Sequence, residues 1–410
     1  MDDLQGRALT RGLGTFLAVM IVGSVAVSAL WHGDEAPAAP VDTATSPSPS
    51  GSPAVAAPQA WLAWVPGGLP ASFSDLVSTV ADVTASTTAT ADLAWMTASF
   101  DAEGDGVDEP KAPWMVPLDV TGVEPTFASF IPEPERQLVQ NLGTHEGILS
   151  ESEAHLRGLG DGSSLLFRGG TTIDIVGTLP DALMGAYELL VPRATATEIG
   201  VTHERYALFH VRGQANATSA SISPLFQDLL PSDAPYPAVE VRAPGEAAYL
   251  RANDRAIPTV FLKQTFGEFL ARPDPNTVGR ITIDPVWIQD NVRSATIPVL
   301  GTVTCASRML PLLKQAVRDI TAASMDDAIV DVGPCFEPIA SPVDPNGPLS
   351  AADWGMAIEL NPSSNPPGAK PSQPKALVHE MYRLGFGWGG NDAYPQGALF
   401  RYRKQASAQD

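Results

Sequence analysis

Basic residues are scarce in this chain, and their scarcity excludes two classes of partner. The 410 residues include 25 Lys and Arg against 46 Asp and Glu, which gives a net charge of −21 and a pI near 4.5. Such a charge repels nucleic acid and anionic lipid surfaces. The 44% hydrophobic content and the length are compatible with two or three packed cores. We therefore expect a chain that is globular over most of its length and binds no nucleic acid.

Charge is absent altogether from residues 12–31. An uncharged run of about 20 residues can cross a hydrocarbon core of roughly 30 Å as a helix. Arg7 and Arg11 precede this segment, so the positive-inside rule places the N-terminus in the cytoplasm and the bulk of the chain outside. We expect a single-pass anchor in the cell membrane. Secretion is the alternative, because Val27-Ser28-Ala29 would also serve as a signal-peptidase site.

Cysteine is limited to Cys305 and Cys335. Disulfides persist outside the cytosol, so we expect these two residues to pair. A zinc site is the weaker alternative, because a structural site normally collects four Cys or His ligands and the C-terminal region has His379 as its sole histidine. The same scarcity argues against a catalytic metal, and we expect no cofactor.

Large apolar residues are almost absent from residues 32–60, where Ala, Pro, Ser and Thr predominate. A segment of this composition cannot bury enough surface to fold, and its prolines keep it extended. We interpret it as a linker that spaces the folded part from the membrane. A disordered stretch with no role of its own is an equal alternative.

Periodicity divides the remaining chain into an extracytoplasmic α+β domain over residues 61–212, a connecting layer over 213–278 and a final domain over 279–404. The first domain has helical spacing over 73–80 and over 151–159, where Ser150 opens the helix. Runs of β-forming residues predict strands in the same domain. These runs are residues 165–168, 171–177 and 206–211.

Residues 147–162, followed by 173–177, combine a helix, a glycine-rich turn and a strand. This stretch is similar to the periplasmic core domain of the macrolide-exporter class of ABC permeases. The resemblance is confined to the stretch itself. It implies a fold that binds partners and has no catalytic role, although the permease's remaining membrane helices are absent here.

Helical spacing also marks the later regions. The connecting layer has a helix-like run at residues 266–270, and the final domain has predicted helices over 308–323 and 375–384. The helix over 308–323 is expected to bury one face, because its apolar residues recur at helical spacing. These residues are Leu310, Leu313, Val317 and Ile320.

Residues 349–362 and 385–390 resemble the zinc D-alanyl-D-alanine carboxypeptidases and the related cell-wall endopeptidases. Ser350, Gly355 and Ala357 match that family's Ser-x-His-x-x-Gly-x-Ala-x-Asp pattern. Further matching segments follow in the right order through the final domain. The resemblance implies a carboxypeptidase-like α+β fold and a peptidoglycan stem peptide as the ancestral ligand.

The same resemblance implies that the catalytic residues are missing. Ala352 stands at the first His ligand, Glu359 at the Asp ligand, Leu399 at the second His ligand and Gln396 at the general base. A catalytic zinc needs three protein ligands and an open position for water. An amide side chain cannot take a proton from that water. Zinc belongs to the ancestral family, and only Glu359 retains a metal donor here.

Aromatic, acidic and hydroxyl side chains border this degenerate site and form a candidate ligand cleft. They are Ser350, Asp353, Trp354, Trp388, Asp392 and Tyr394. Aromatic rims bind ligands as readily as they fill cores, so core packing is the open alternative. Ser350 has no neighbouring His to activate it as a nucleophile, and we predict that it caps a turn.

These patterns predict a membrane-anchored extracytoplasmic pseudoenzyme that binds peptidoglycan stem peptide or a cell-envelope protein. One alternative is an active cell-wall metallopeptidase with a non-standard metal site at Glu359, Asp353 and Asp392. The other alternative is an envelope scaffold that binds no wall peptide.

Overall fold

The computed structural model describes residues 60–70, 73–212, 217–230, 239–340 and 344–403. All of these residues belong to one compact unit, Val55–Asp410. Helices make up 27% and strands 30% of the described residues, so the predicted mixture of α and β structure is confirmed. The predicted membrane segment and the linker, apart from Ala60, lie outside the described residues. Within the described ranges, no helix is both long and apolar enough to span a bilayer.

Strands and short helices alternate along the chain. The strands are β1 (Trp61–Trp64), β2 (Val83–Phe100), β3 (Gly106–Asp108), β4 (Val116–Val123), β5 (Glu146–Ser150), β6 (Ser164–Phe167), β7 (Thr172–Leu179), β8 (Leu189–Pro192), β9 (Glu204–Val211), β10 (Glu240–Arg242), β11 (Ala271–Pro273), β12 (Ile281–Ile283), β13 (Val292–Ile297), β14 (Gly301–Ala306), β15 (Ala357–Glu359), β16 (Phe386–Trp388) and β17 (Leu399–Tyr402). The α-helices are α1 (Phe73–Val77), α2 (Glu135–Gln140), α3 (Glu151–Arg157), α4 (Asp181–Met184), α5 (Arg193–Glu198), α6 (Ser219–Ile222), α7 (Pro224–Gln227), α8 (Thr259–Phe266), α9 (Pro285–Asn291), α10 (Met309–Ala322) and α11 (Lys375–Arg383). Short 3-10 helices occur at Pro125–Phe130, Asp326–Ala328, Pro362–Ser364 and Gly389–Asn391.

The largest sheet closes on itself at one end. Its strand order is β10-β1-β9-β2-β4-β8-β5-β7-β6, and β3 pairs with β2. The long strand β2 pairs first with β9, then with β4, and finally, from Met96 to Phe100, with β6. Because β6 pairs with β7 as well as with β2, strands β2, β4, β8, β5, β7 and β6 form a closed barrel. Closure leaves these six strands few free backbone groups at an edge.

Strand β4 is buried on both of its faces. Val116, Leu118 and Val120 belong to the apolar cluster that includes the inward side chains of the barrel strands. Successive side chains of a strand point to opposite faces, so Asp119 faces away from that cluster. There it forms an ion pair with Arg251, with 2.5 Å between Asp119 Oδ2 and Arg251 Nη2. The outer face of β4 is therefore covered by residues that lie far along the chain.

A further apolar cluster fills the C-terminal part of the chain. It includes the buried face of α10, and the four residues predicted for that face are all buried. Cys305 and Cys335 lie in the same cluster and form the predicted disulfide. Strands β15, β17 and β16 form a three-stranded antiparallel sheet in that order, and α11 packs against β16.

Several local predictions are confirmed, and one helix lies elsewhere. Ser150 caps α3, since its Oγ accepts a hydrogen bond from the Glu153 backbone N–H at 3.1 Å. Strands β6, β7 and β9 coincide with the predicted runs. The helix expected at residues 266–270 instead spans Thr259–Phe266 and ends at Gly267. The φ of Gly267 is 87°, a conformation that glycine adopts without a steric penalty.

Candidate functional site

The turn before β15 holds three of the predicted cleft residues. The Ser350 backbone N–H donates to Asp353 Oδ2 at 2.6 Å, and the Ala352 N–H donates to Ser350 Oγ at 3.3 Å. Burial raises the pKa of Asp353 to about 7. Trp354 is 1% exposed, and its indole Nε1 donates to the Gly267 carbonyl at 2.7 Å. The structure thus places Ser350 and Asp353 in a hydrogen-bonded turn and Trp354 in the core.

The positions that would hold zinc in the resembled family do not fit that metal. Strands β15 and β17 pair Glu359 with Leu399, and Ala352 lies in the preceding turn. Neither Ala352 nor Leu399 carries a donor atom, and burial together with Glu337 raises the pKa of the Glu359 carboxyl. The Gln396 backbone N–H donates to the Gly389 carbonyl at 2.9 Å. Across the part of the chain that the structure describes, no three His, Cys, Asp or Glu side chains gather as metal ligands would.

An open cleft of about 370 Å³ lies between α11 and β16. Trp388 and Asp392, two of the predicted cleft residues, line it. Tyr394 is not among the lining residues and packs over Gly368, where an added Cβ would approach the Tyr394 ring to 2.8 Å. Of the predicted cleft residues, the lining therefore includes Trp388 and Asp392 but neither Tyr394 nor the turn at Ser350. The other lining residues are Arg255, Lys375, Val378, His379, Tyr382, Gly387, Asn391 and Arg403.

One face of α11 forms a wall of this cleft. Lys375, His379 and Tyr382 follow one another at helical spacing and line the cleft, because residues three and four positions apart share a helix face. Leu377 and Met381 point to the other side and are buried in the C-terminal core. Burial of these two residues therefore fixes which side chains the helix presents to the cleft.

Two glycines shape the opposite wall. An added Cβ at Gly387 would lie 1.9 Å from Arg403 Nε, and one at Gly390 would lie 2.3 Å from Trp388 Cζ2. Both distances are far below a normal contact, so any larger residue would displace these side chains. The Trp388 indole Nε1 also donates to the Gly397 carbonyl at 2.7 Å. This wall of the cleft is therefore formed by the Trp388 indole, which its hydrogen bond holds in place, and by the Arg403 side chain, which packs against Gly387.

Positive charge in the cleft lacks an internal partner. Lys375, Arg255 and Arg403 are exposed, and none of them forms an ion pair with a carboxylate of the described residues. Among the described residues, the Arg255 Nη1 donates a long hydrogen bond of 3.4 Å to the Asn391 carbonyl, and its charge acts to lower the pKa of the neighbouring Asp254 carboxyl. The one lining acid, Asp392, is already bound by Arg401 outside the cleft lining, at 2.5 Å. The arrangement can bind a small anionic group, such as a carboxylate, beside an aromatic surface.

Sequence reasoning missed most of the cations that line this cleft. The signal for Lys375 was available, because it shares a helix face with His379 and Tyr382 opposite the apolar pair of α11. Arg255 gave no signal, because it lies far from α11 in the chain and reaches the cleft only through the tertiary fold. His379, the sole histidine of the C-terminal region, is exposed and lines the cleft.

A second group of charged residues is buried where the barrel meets α8. Lys263 Nζ lies 2.6 Å from Glu188 Oε1 and 3.0 Å from Glu268 Oε1. Arg157 binds Glu268 at 2.5 Å and also binds Glu153. Burial lowers the pKa of Lys263, but Glu188 and Glu268 raise it more, so that the pKa lies above its ordinary value. The cations of this cluster are matched by carboxylates and closed to solvent, which makes the cluster structural.

No protein-family model matches the sequence, and no curated protein matches it. Part of the chain is similar to several solved structures, including the following two. The periplasmic region of MacB from Actinobacillus actinomycetemcomitans is 12% identical over 45% of this chain and 88% of that chain, with a TM-score of 0.31. The extracellular domain of the noncanonic ABC-type transporter YknZ from Gram-positive bacteria is 13% identical over 44% of this chain and 98% of that chain, with a TM-score of 0.29.

These structural neighbours are extracytoplasmic domains of MacB-type ABC permeases, the class that residues 147–177 resemble. At TM-scores this low, the likeness carries no argument about what the chain binds. The resemblance of the final domain to the zinc carboxypeptidases stays a prediction from its sequence.

Proposed function

We propose that this chain is a membrane-anchored, extracytoplasmic binding protein without catalytic activity, and that the cleft between α11 and β16 binds peptidoglycan stem peptide. The observation that carries the proposal is the group of unpaired cations beside Trp388. A stem peptide ends in a carboxylate, which guanidinium and ammonium groups bind through charge-assisted hydrogen bonds. The indole offers an apolar surface to the neighbouring methyl groups. An acidic segment of a cell-envelope protein would use the same cations.

The negative net charge of the chain makes the cleft cations a locally favoured site for an anionic ligand. A chain with a net charge of −21 repels an anionic ligand over most of its surface. Lys375, Arg255 and Arg403 therefore offer a positive site on a negative molecule. We expect binding through the cleft to weaken as salt is added, because exposed charges are screened.

The location outside the cytosol rests on two features. Residues 12–31 are proposed to anchor the chain in the cell membrane, with a secreted form as the alternative. The disulfide between Cys305 and Cys335 suits an oxidising compartment, where such bonds persist. Both features agree with a ligand that belongs to the cell wall.

Binding can be tested on the full-length chain in detergent by calorimetry. The probe is a short peptide that ends in D-alanyl-D-alanine, compared with the same peptide as a C-terminal amide. We expect the free acid to bind about tenfold more tightly, because the amide lacks the charge that the cations recognise. Equal binding of the two peptides, or no binding of either, would contradict the proposal.

The cleft is tested by a matched pair of lysine variants. Lys375→Gln removes a cation from the cleft and should weaken binding of the acid about fivefold, since an exposed charge pair contributes ~1 kcal/mol. Lys314→Gln removes an exposed lysine of α10 that does not line the cleft and should leave binding unchanged. A loss of the same size in both variants would point to a general charge effect instead.

The absence of catalysis is tested on the same preparation. Metal analysis should find no stoichiometric zinc, and incubation with the peptide should release no D-alanine. Zinc at one ion per chain together with D-alanine release would overturn the non-catalytic part of the proposal and favour a metallopeptidase with a non-standard site.

A further inference from the structure

A second cavity adjoins the cationic cleft. It encloses about 630 Å³, and Arg255 and Arg403, which we call the shared arginines, line both cavities. Arg242 is a third arginine of the second cavity, whose lining acids are Asp254 and Glu246. The two cavities therefore form one groove, and the shared arginines lie where its two parts meet.

The acids of the second cavity already have donors within the protein. Asp254 is 4% exposed, and its Oδ2 lies 3.4 Å from Arg242 Nε. Glu246 accepts hydrogen bonds from the Ser219 hydroxyl and, at 2.9 Å, from the Ala243 backbone N–H. Neither acid forms an ion pair with a shared arginine in the described part of the chain. The shared guanidinium groups thus remain available to an anion from outside.

The shared arginines can serve more than one carboxylate. Two guanidinium groups carry about ten N–H donors, whereas a carboxylate accepts about four hydrogen bonds. Within the described residues, Arg255 gives one donor to the Asn391 carbonyl at 3.4 Å. The Arg403 side chain is held close to Gly387, which reduces the entropy that it loses when it binds a ligand. A carboxylate in the cleft therefore leaves donors of both guanidinium groups free on the side of the second cavity.

The remaining lining of the second cavity adds a neutral donor and small apolar surfaces. Burial raises the pKa of Tyr249, so its hydroxyl stays protonated and can donate a hydrogen bond. Ala248, Ala256 and Ile257 also line the cavity. This combination suits a peptide segment that carries an acidic group.

We infer that the second cavity binds a second carboxylate of the same ligand whose terminal carboxylate lies in the cleft. The ligand is thus a peptide with a free acid upstream of its C-terminus, as distinct from one in which that acid is amidated. This inference rests on the proposed function, because it extends the same binding site. It adds a requirement that the cleft alone does not impose.

The test uses two pentapeptides that differ at one carboxylate. Both are Nα-acetyl-Ala-γ-D-Glu-Lys-D-Ala-D-Ala, and in one of them the free α-carboxylate of the D-Glu residue is converted to an amide. The terminal carboxylate is the same in both. In calorimetry on the full-length protein, we expect the diacid to bind about fivefold more tightly, because only the diacid has a second charge for the shared arginines.

Variants that act on the second cavity should reduce this preference. Ala248 is exposed and lines the second cavity but not the cleft. Ala248→Glu adds a like charge there and should bring the two peptides within about twofold of each other. Arg255→Gln removes a shared arginine and should also reduce the preference to about twofold.

A matched control adds the same negative charge elsewhere. Ala322 is exposed on α10 and lines neither cavity, so Ala322→Glu should keep the full preference. Thermal unfolding shows whether Ala248→Glu is folded, and Arg255→Gln supplies the test if it is not.

The outcomes separate this inference from the proposed function. Equal binding of the two peptides to the native protein would overturn the second carboxylate site and leave binding of the terminal carboxylate in place. A preference that survives in both Ala248→Glu and Arg255→Gln, or one that Ala322→Glu removes equally, would also overturn it. If neither peptide binds, the proposed function fails and the inference fails with it.

Discussion

The buried cluster around Lys263 and the open cleft around Lys375 contain the same types of charged side chain in two different arrangements. Lys263 is 1% exposed and has carboxylates at 2.6 and 3.0 Å. Lys375 is exposed, and no described carboxylate pairs with it. A buried charge is tolerated only when it is paired, whereas a solvated charge is free to meet a ligand. Burial and pairing therefore distinguish structural cations from those available for binding.

The buried, paired cations also lie in one part of the fold. Arg251, Lys263 and Arg205 all bind carboxylates at the surface of the large sheet, on Asp119, Glu188 and Asp92 respectively. Two of them, Arg251 and Lys263, come from residues that follow the sheet in the chain. The ion pairs of Arg251 and Lys263 therefore join the residues that follow the sheet to the sheet itself. The unpaired cations of the cleft are exposed to solvent.

The largest effect is expected for the buried lysine. Lys263→Met leaves Glu188, which is fully buried, without its cation, and breaking one partner of a buried pair costs about 3–5 kcal/mol. Chemical denaturation at pH 7 measures the free energy of unfolding. Lys263→Met combined with Glu188→Gln should lose clearly less than the single variant, because no unpaired charge remains. Losses that simply add would show that the two residues act independently.

A buried acid without a cation sharpens the comparison. Burial raises the pKa of Asp353 from 3.8 to about 7, so the folded state retains a proton that the unfolded state releases. Its contribution to stability is therefore full below pH 4 and is lost as the pH rises to about 7. Asp353→Asn carries no charge at any pH. Relative to the native protein, we expect this variant to gain about 3 kcal/mol between pH 4 and pH 8. Denaturation curves at both pH values measure this gain, and a difference that does not change with pH would contradict it.

Salt should affect the two groups of cations differently. An increase in ionic strength from about 0.05 to 0.5 M shortens the screening length severalfold. Peptide binding in the cleft should then weaken by about fivefold, because Lys375 and Arg403 are exposed. The stability lost in Lys263→Met should stay within about 0.5 kcal/mol, since buried pairs are screened much less. Titrations and denaturation curves at both salt concentrations test this difference.

The smallest effect on stability is expected at the cleft itself. Lys375→Met removes an exposed, unpaired cation, and such surface changes stay within about 0.5 kcal/mol. Denaturation under the conditions used for Lys263→Met gives the direct comparison. A loss above about 2 kcal/mol would show that Lys375 is a structural residue and would erase the distinction.

Local patterns predicted several elements correctly for physical reasons. Helix α10 follows from the spacing of Leu310, Leu313 and Val317, because its apolar stripe is packed against the core. The start of α3 follows from Ser150, whose side chain satisfies a free backbone N–H. Strand β2 was not predicted, because its run of Ala and Thr has a weak alternation and gains its stability from four neighbouring strands.

The candidate site was predictable only in part. Trp388 and Asp392 were identified from the resemblance, and both line the cleft. Trp354 was selected on the same grounds, yet it is buried and bonded to Gly267. An aromatic side chain alone does not indicate whether its neighbours will be solvent or core. That depends on residues distant in the chain.

The sequence by itself determined the charge balance of −21, the periodicity of α10 and α11 and the loss of zinc donors at Ala352 and Leu399. These are properties of residue type and local spacing. Only the tertiary structure decided which cations became buried and which stayed exposed to solvent, and it brought Arg255 beside α11 to complete the cleft. Pairing and burial depend largely on contacts between residues far apart in the chain, such as Arg251 and Asp119, and no local pattern records those contacts.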